Sequence, residues 1–217
     1  MASRRAIKAA ETRIGILEAT LARLDERPLA SISASELADV AGVSPATFFN
    51  YFPSKDHILA LFVQLWTIEM AWRVSRHPEN DPLGAIELML ASTAERSDEH
   101  PGVLAEIVAY QTRHHFGREL TPPTDEDLRR MFPDCEDIEQ VSRQAGLETL
   151  VPPLLKRAVE LGHLRVDTPV DLVFAAVATI FFGAPVLVRQ TESLTLEVAF
   201  TTQLRWLWDA HAGPTPR

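Results

Sequence analysis

Residues 42–56, GVSPATFFNYFPSKD, hold four side chains that are able to bind another molecule. Thr47 offers a methyl and a hydroxyl, Asn50 an amide and Tyr51 a phenol, and Lys55 follows as a cation. Such groups hydrogen-bond to base edges and phosphates in protein–DNA complexes, but they are equally common on solvated helix surfaces. The elements that carry them must decide between these two possibilities.

The aromatic residues of this stretch separate by direction on a helix that begins at Pro45. At about 100° per residue, Phe48 and Phe52 point almost the same way, which predicts that both belong to a hydrophobic core. Phe49 falls at the edge of that arc. The polar side chains of this helix point away from that arc and are left for a partner or for solvent: Thr47, Asn50 and Tyr51.

Capping and turn signals around this helix predict a helix-turn-helix unit. Ser33 and Glu36 have the spacing of a capping box, and Ser44–Pro45 is a typical helix start. Between the two helices, Gly42 suits a left-handed turn, and the small Ala38 four residues earlier permits a close helix crossing. Longer helices are predicted before and after, at about 12–27 and Lys55–Arg76.

The segment LADVAGVSPATFFNYFPSKDHIL resembles the DNA-binding domain of the TetR family of bacterial transcriptional regulators, over about residues 12–60. The resemblance implies an all-α fold with an N-terminal three-helix DNA-binding domain and a larger helical ligand-binding and dimerisation domain. It also implies a homodimer that binds a palindromic double-stranded DNA operator and represses transcription. A small molecule bound in the C-terminal domain would release it.

The resemblance also favours DNA contact for the polar face of the third helix. Asn50 suits adenine, Tyr51 suits a phosphate, and Lys55 at a helix N-terminus suits another phosphate. Phe49 lacks the hydroxyl that the family often carries there, which leaves a thymine methyl or a sugar as its partner. The DNA-binding residues implied are Arg4, Arg5, Ser44, Pro45, Ala46, Thr47, Phe49, Asn50, Tyr51 and Lys55.

The charge is distributed unevenly along the 217 residues. Residues 1–58 contain seven Lys or Arg and seven Asp or Glu, whereas residues 59–217 contain fourteen against twenty-three and account for the whole net charge of −9. An acidic surface repels nucleic acid, so the N-terminal part is the one suited to DNA. The single Cys135 excludes an intramolecular disulfide, and MASRRAIKAAETRIGI lacks a signal-peptide core, so we expect a cytoplasmic protein.

Proline and glycine divide the rest of the chain into predicted helices near 83–99, 102–118, 125–131, 136–147, 152–162, 169–189 and 193–211. We place the domains at 1–54 and 55–217, with Lys55–Arg76 as the connecting helix. The acidic, proline-broken stretch 121–139 is predicted to be an exposed insertion. The last two helices are expected to form the homodimer interface. Residues 172–188 are uncharged but too short and interrupted for a membrane span, so a protein interface is the better interpretation.

The C-terminal region offers candidates for an effector pocket rather than for catalysis. Aromatic and polar side chains that suit such a pocket are Trp66, Tyr110, Gln111, His114 and Phe181, although such residues more often fill a core. His114 and His115 diverge on a helix, so no metal site is predicted. No catalytic motif is present, and no cofactor is expected. A ligand-independent or activating regulator stays open as an alternative, with a helical enzyme less favoured.

Overall fold

The computed structural model of the protein describes residues 3–113, 121–141, 146–191 and 193–213. Within these ranges the chain is helical, and the predicted all-α class is confirmed. The helices are α1 Arg4–Leu24, α2 Ala34–Val40, α3 Pro45–Tyr51, α4 Asp56–Ser75, α5 Pro82–Glu99, α6 Pro101–Arg113, α7 Asp125–Met131, α8 Leu147–Glu160, α9 Val170–Val188 and α10 Leu196–His211. Two 3₁₀ turns, Leu29–Ser31 and Ile138–Gln140, connect α1 to α2 and follow α7.

The chain forms two compact units, each made of two segments. Met1–Glu69 groups with Glu99–Arg143, and Met70–Asp98 groups with Gln144–Arg217. The first unit therefore contains the helix-turn-helix together with α6 and α7, and the second contains α8, α9 and α10. The functional division into a DNA-binding part up to residue 54 and a ligand-binding part after it stays a prediction.

Helix α1 begins eight residues earlier than predicted. Ser3 caps it, since its Oγ accepts a hydrogen bond from the backbone N–H of Ala6 at 3.1 Å. The segment that follows, RRAIKAAE, is rich in good helix formers, so the helix extends to this cap. Arg4 and Arg5 consequently lie on the first turn of α1, exposed, rather than on an extended arm ahead of it.

The turn between α2 and α3 has the predicted construction. Gly42 adopts a left-handed conformation with φ of 67°, which a residue with a side chain would adopt only at a cost. The N–H of Val43 bonds to the carbonyl of Ala38 at 2.9 Å, and Ala38 is fully buried. Only half of the predicted capping box at the start of α2 is formed. Ser33 accepts from the N–H of Glu36 at 3.1 Å, whereas the Glu36 carboxylate pairs with Arg27.

The acidic stretch 121–139 is not an exposed insertion, contrary to the sequence-based expectation. Its helix α7 packs against α1, and Leu128 and Ile138 are fully buried. Thr124 and Asp127 form a complete capping box, which starts α7 at the predicted residue. The apolar side chains spaced between the charges drive the burial. The charged side chains of the stretch are exposed or half-buried, except Asp127, which is buried.

The predicted helix over 136–147 is wrong for the described residues 136–141, and residues 142–145 lie outside the part of the chain that the structure describes. The chain makes a 3₁₀ turn at Ile138–Gln140, preceded by Asp137 in the left-handed region, and α8 begins at Leu147. Pro152 and Pro153 lie inside α8 instead of before it. Each proline removes a backbone donor, but α8 packs against α9 and buries one apolar face, which offsets that loss.

Helices α9 and α10 pack against each other in the second unit. The rings of Phe181 and Phe200 stack between them, with centroids 6.3 Å apart and an interplanar angle of 6°. By length and composition, α4 and α9 are both apolar enough to cross a membrane. Of an apolar stretch of 18 residues in each helix, 67% is buried inside the fold for α4 and 33% for α9. Helix α4 is therefore a core helix, whereas α9 keeps an apolar face uncovered.

Candidate nucleic-acid interface

Helix α3 is held at both ends by local signals. Ser44 accepts a hydrogen bond from the N–H of Thr47 at 3.1 Å, and Pro45 occupies the first helical position. The hydroxyls of Ser44 and Thr47 also bond to each other at 2.8 Å. After Tyr51 the chain becomes extended at Phe52, because the residue before Pro53 avoids the helical region.

The inner face of α3 consists of the two phenylalanines that the helix geometry assigned to the core. Phe48 is 0% exposed and Phe52 is 2% exposed, and their ring centroids lie 6.2 Å apart. They anchor α3 to the rest of the first unit. The predicted split of the aromatic cluster into buried and outward residues is confirmed for this pair.

The outer face of α3 presents the predicted contact residues to solvent. Ala46, Phe49 and Asn50 are exposed, and Thr47 and Tyr51 are half-buried. Ser44 and Pro45 are also exposed at the start of the helix. These residues form one surface on a short helix that the glycine turn presents outward. Contact of this surface with DNA remains a prediction.

Lys55 lies just before α4, near the helix N-terminus where it was expected, and its ammonium is bound within the protein. Its Nζ donates hydrogen bonds to the backbone carbonyls of Leu29 and Ile32, at 2.7 and 2.5 Å. These bonds tie the start of α4 to the 3₁₀ turn between α1 and α2. An ammonium has three donors, so one remains for a phosphate.

The basic residues at the N-terminus divide between two roles. Arg4, Arg5 and Lys8 are exposed on the first turns of α1. Arg13, two turns further along, pairs with Asp127 of α7 at 3.1 Å, and the Asp127 side chain is only 1% exposed. Sequence reasoning missed this ion pair because the partners are distant in the chain, although the Thr124–Asp127 capping box was visible in the sequence.

The predicted effector-binding residues are buried where the structure describes them. Trp66 and Tyr110 belong to the first compact unit and Phe181 to the second, and all three are less than 10% exposed. The side chain of Gln111 and the whole of His114 lie outside the described residues. Whether the other three contact a ligand or only fill the core stays a prediction.

A surface cleft of about 370 Å³ lies in the second unit, and none of those candidates is among its lining residues. Its lining includes Val74, His77, Pro82, Leu154 and Arg157. Among the residues that the structure describes, no group of His, Cys, Asp or Glu has the arrangement of a metal site.

A family model described as "Bacterial regulatory proteins, tetR family" matches residues 16–61, which contain α2, the glycine turn, α3 and the start of α4. This N-terminal part of the chain matches the TetR family. The resemblance inferred from LADVAGVSPATFFNYFPSKDHIL is thereby confirmed. TetR proteins are regulatory proteins, so the prediction that the chain is not an enzyme is confirmed with it.

Two curated relatives align with part of this chain. The HTH-type transcriptional regulator EthR of Mycobacterium tuberculosis is 56% identical over 36 residues, which are 17% of this chain and 17% of EthR. The nucleoid occlusion factor SlmA of Alteromonas mediterranea is 27% identical over 100 residues, 45% of this chain and 51% of SlmA. The alignments thus span about half or less of each relative, 17% and 51% of their lengths.

Solved structures resemble the chain over nearly its whole length. The TetR-family repressor FadR of Thermus thermophilus superposes with a TM-score of 0.61 at 22% identity, covering 94% of this chain and 99% of FadR. The SmeT–triclosan complex superposes with a TM-score of 0.64 at 19% identity, covering 94% and 93%. At such identities the similarity establishes the TetR fold, with its N-terminal helix-turn-helix and helical C-terminal part.

Proposed function

We propose that this TetR-family protein is a cytoplasmic transcriptional repressor that binds a palindromic DNA operator as a homodimer. A small molecule bound in the C-terminal helices would release it from the operator. The observation that carries the DNA-binding part is the outer face of α3. Ala46, Phe49 and Asn50 are exposed side by side on a helix that is capped, anchored by Phe48 and Phe52, and preceded by a tight turn.

An α-helix of this kind fits the major groove of B-DNA, and the outer face supplies the groups that read bases there. The amide of Asn50 matches the N6 donor and N7 acceptor of adenine. Tyr51, half-buried at the end of α3, supplies a phenol for a phosphate oxygen. Exposed Arg4, Arg5 and Lys8 on α1 add positive charge for the phosphate backbone.

The homodimer is supported by the uncovered face of α9. Leu172, Ala175, Thr179, Gly183 and Val186 recur at spacings of three and four residues, and all are exposed. Leu172 is 70% exposed, which is unusual for a leucine in a folded chain. The small residues at the centre of this stripe allow a second helix to approach closely. Exposed Val198 and Trp206 continue the apolar surface on α10.

The effector part of the proposal rests on the buried aromatic residues and on solved relatives. The complexes reported for FadR and SmeT contain lauroyl-CoA and triclosan, respectively. Both ligands have large apolar portions. By analogy, we propose an apolar small molecule for this protein. Its candidate contacts are Trp66 and Tyr110 in the first compact unit or, separately, Phe181 in the second.

The experiment is selection of duplex DNA from a random pool, followed by mobility-shift titrations of the selected site against a scrambled site at several salt concentrations. We expect selection of a palindrome and a dissociation constant at least about a thousandfold lower for the selected site than for the scrambled one. Specific DNA-binding proteins prefer their sites over non-specific DNA by factors of about 10³ to 10⁷. Asn50→Ala should weaken preference at one base position. Equal affinity for selected and scrambled DNA at every salt concentration would exclude the proposed function.

Thermal-shift screening of apolar compounds tests the effector. A compound that raises the melting temperature and also dissociates the complex with the selected site supports ligand-released repression. If the selected site is bound tightly but no compound in the screen stabilises the protein or dissociates the complex, a ligand-independent regulator is favoured.

A further inference from the structure

Phe49 is an exposed aromatic ring that contributes little to the fold. Its side chain is 51% exposed, although the chain has a core that buries Phe48 and Phe52 almost completely on the same helix. A phenylalanine with about half of its surface in water gives up about half of the stabilisation that full burial would provide. Its position on the outer face of α3 is therefore explained better by a partner than by packing.

The direction of the Phe49 ring is fixed by its neighbour. Phe48 and Phe49 make an edge-to-face contact, with ring centroids 5.4 Å apart and an interplanar angle of 84°. Phe48 is itself immobilised, because it is 0% exposed. The exposed part of the Phe49 ring is thus held in place before any partner binds, which lowers the entropy lost on binding.

Two neighbours on the same face define what the ring would meet. Ala46 lies three residues before Phe49 and four before Asn50, so the three side chains are adjacent on the helix surface, and all are exposed. The hydroxyl of Thr47, in contrast, is already paired with Ser44 at 2.8 Å. The three adjacent exposed side chains are therefore one ring and one methyl beside a single amide.

We propose that Phe49, supported by Ala46, reads the C5-methyl group of thymine next to the adenine bound by Asn50. The C5-methyl is the apolar feature that the major groove of DNA presents, and apolar side chains recognise it by contact. A half-site with adjacent adenine and thymine positions follows from this juxtaposition. The inference rests on the proposed function, since it requires α3 to enter the major groove.

Replacing thymine by deoxyuridine removes this methyl and leaves every base-pairing and hydrogen-bonding group unchanged. Each thymine of the selected site is replaced in turn, in both half-sites together, and the dissociation constant is measured by fluorescence anisotropy. Burial of one methyl corresponds to a factor of about four in affinity per half-site. We expect one thymine position at which the replacement weakens the affinity of the wild-type protein about tenfold or more. This factor combines the effects of the two half-sites of the symmetric duplex.

Variants at position 49 identify the side chain responsible. Phe49→Ala should bind the thymine and the deoxyuridine duplexes with equal affinity at that position, whereas Phe49→Leu should keep part of the preference for thymine. Val166→Ala is the matched control, since Val166 is a 92% exposed apolar residue outside the helix-turn-helix. This control should retain the full preference. Circular dichroism confirms that each variant is folded, as expected for changes at exposed positions.

The outcomes separate this inference from the function on which it rests. A selected site at which no thymine methyl matters, or at which Phe49→Ala keeps the same preference as the wild type, overturns the assignment of Phe49 and leaves the operator-binding proposal intact. A contact of Phe49 with a sugar would produce this second result. Failure to select any specific site would overturn both.

Discussion

The ammonium of Lys55 is bound within the protein before any DNA arrives. Its bonds to the carbonyls of Leu29 and Ile32 join the start of α4 to the 3₁₀ turn between α1 and α2. The motif around Lys55 is visible in the sequence, but its acceptors lie 26 and 23 residues away in the chain. Local patterns therefore predict a cation at the start of α4 and miss the contacts that it makes.

Substitution of Lys55 by Met tests this structural role. The variant keeps the aliphatic stem but removes the ammonium donor from both carbonyls, although that of Leu29 still accepts the N–H of Ile32 at 3.2 Å. We therefore expect the free energy of unfolding to fall by about 2 kcal/mol. Urea denaturation followed by circular dichroism measures the change. Lys8→Met, at an exposed position on α1, is the control and should change stability by less than about 0.5 kcal/mol. Unchanged stability of Lys55→Met would show that the two bonds contribute nothing net.

Asp81, at the start of α5, is stabilised in its charged form. The hydrogen bond from Nε2 of His77, at 2.9 Å, is the main cause that lowers the pKa of Asp81 below its ordinary value. The N–H of Gly84 and the charges of His77 and His163 lower this pKa further, and partial burial opposes them. Since the folded pKa is depressed, the stabilisation is fully present above the unfolded pKa of about 4 and is lost as the pH falls through the folded value.

Melting temperatures between pH 3 and pH 6 check this dependence. Asp81→Asn should melt below the wild type at pH 6, by a small amount because Asp81 is exposed, and the difference should shrink steadily below about pH 4. Asp98→Asn, at another exposed carboxylate of α5, serves as the reference. A difference that stays constant down to pH 3 would show that the carboxylate charge of Asp81 is not the source of the effect.

The helix ends were predictable where short-range capping decides them. Ser44–Pro45 and Thr124–Asp127 set the starts of α3 and α7 at the expected residues. Helix α1 was predicted too short because its cap, Ser3, lies before a stretch without apolar periodicity. The prolines of α8 were taken as a boundary because local rules cannot include the packing of α8 against α9.

The contact of α7 with α1 is the element-level feature that the sequence did not reveal. Helix α1 is buried along two adjacent faces: one carries Ile14, Leu17 and Leu21, and the other carries Ile16 and Thr20. Arg13 belongs to the second face, and its ion pair with buried Asp127 joins α1 to α7. The oxygen of Asp127 that pairs with Arg13, Oδ2, also accepts from the N–H of Thr124 at 2.8 Å, so the ion pair and the helix cap share one atom.

Removing the charge of Asp127 should therefore destabilise the first compact unit. In Asp127→Asn the guanidinium of Arg13 keeps its position without a counter-charge, and we expect a loss of about 3 kcal/mol in the free energy of unfolding. Adding Arg13→Met should recover part of that loss, since no unpaired charge then remains near α7. Urea titrations of the two single variants and the double variant measure this coupling.

The exposed ion pair of Arg129 with Glu139, at 2.7 Å, provides the comparison. Because both partners are solvated, Arg129→Met should cost less than about 1 kcal/mol. Strictly additive losses for Arg13→Met and Asp127→Asn would contradict the coupling across α1 and α7.

Across the whole molecule, the order of helices was largely predictable and their grouping was not. Apolar periodicity placed α4, α5, α9 and α10 within a few residues of their observed bounds. The inclusion of residues 99–143 in the same compact unit as the helix-turn-helix depends on contacts between distant segments. One of them is the close approach of Gly102 to Leu24, where a side chain on Gly102 would collide with the backbone carbonyl.

The apolar stripe on α9 and α10 determines whether the molecule can act as the proposed dimer. A palindromic operator requires two copies of α3 related by a two-fold axis, and the stripe is the surface in the second unit suited to hold them together. Leu172→Glu combined with Trp206→Glu places charges on that surface at positions that are 70% and 65% exposed in the single chain. The isolated fold should tolerate both changes, whereas an interface that buries them should not.

Sedimentation equilibrium should consequently show a dimer for the wild type and a monomer for the double variant, with unchanged far-ultraviolet circular dichroism. Val166→Glu, at a 92% exposed position between α8 and α9, should remain dimeric. The monomer should still contact a single half-site, but its affinity for the full palindrome should fall steeply, because the second half-site no longer binds at the high effective concentration that a dimer provides. A double variant that stays dimeric would place the two-fold interface elsewhere on the molecule.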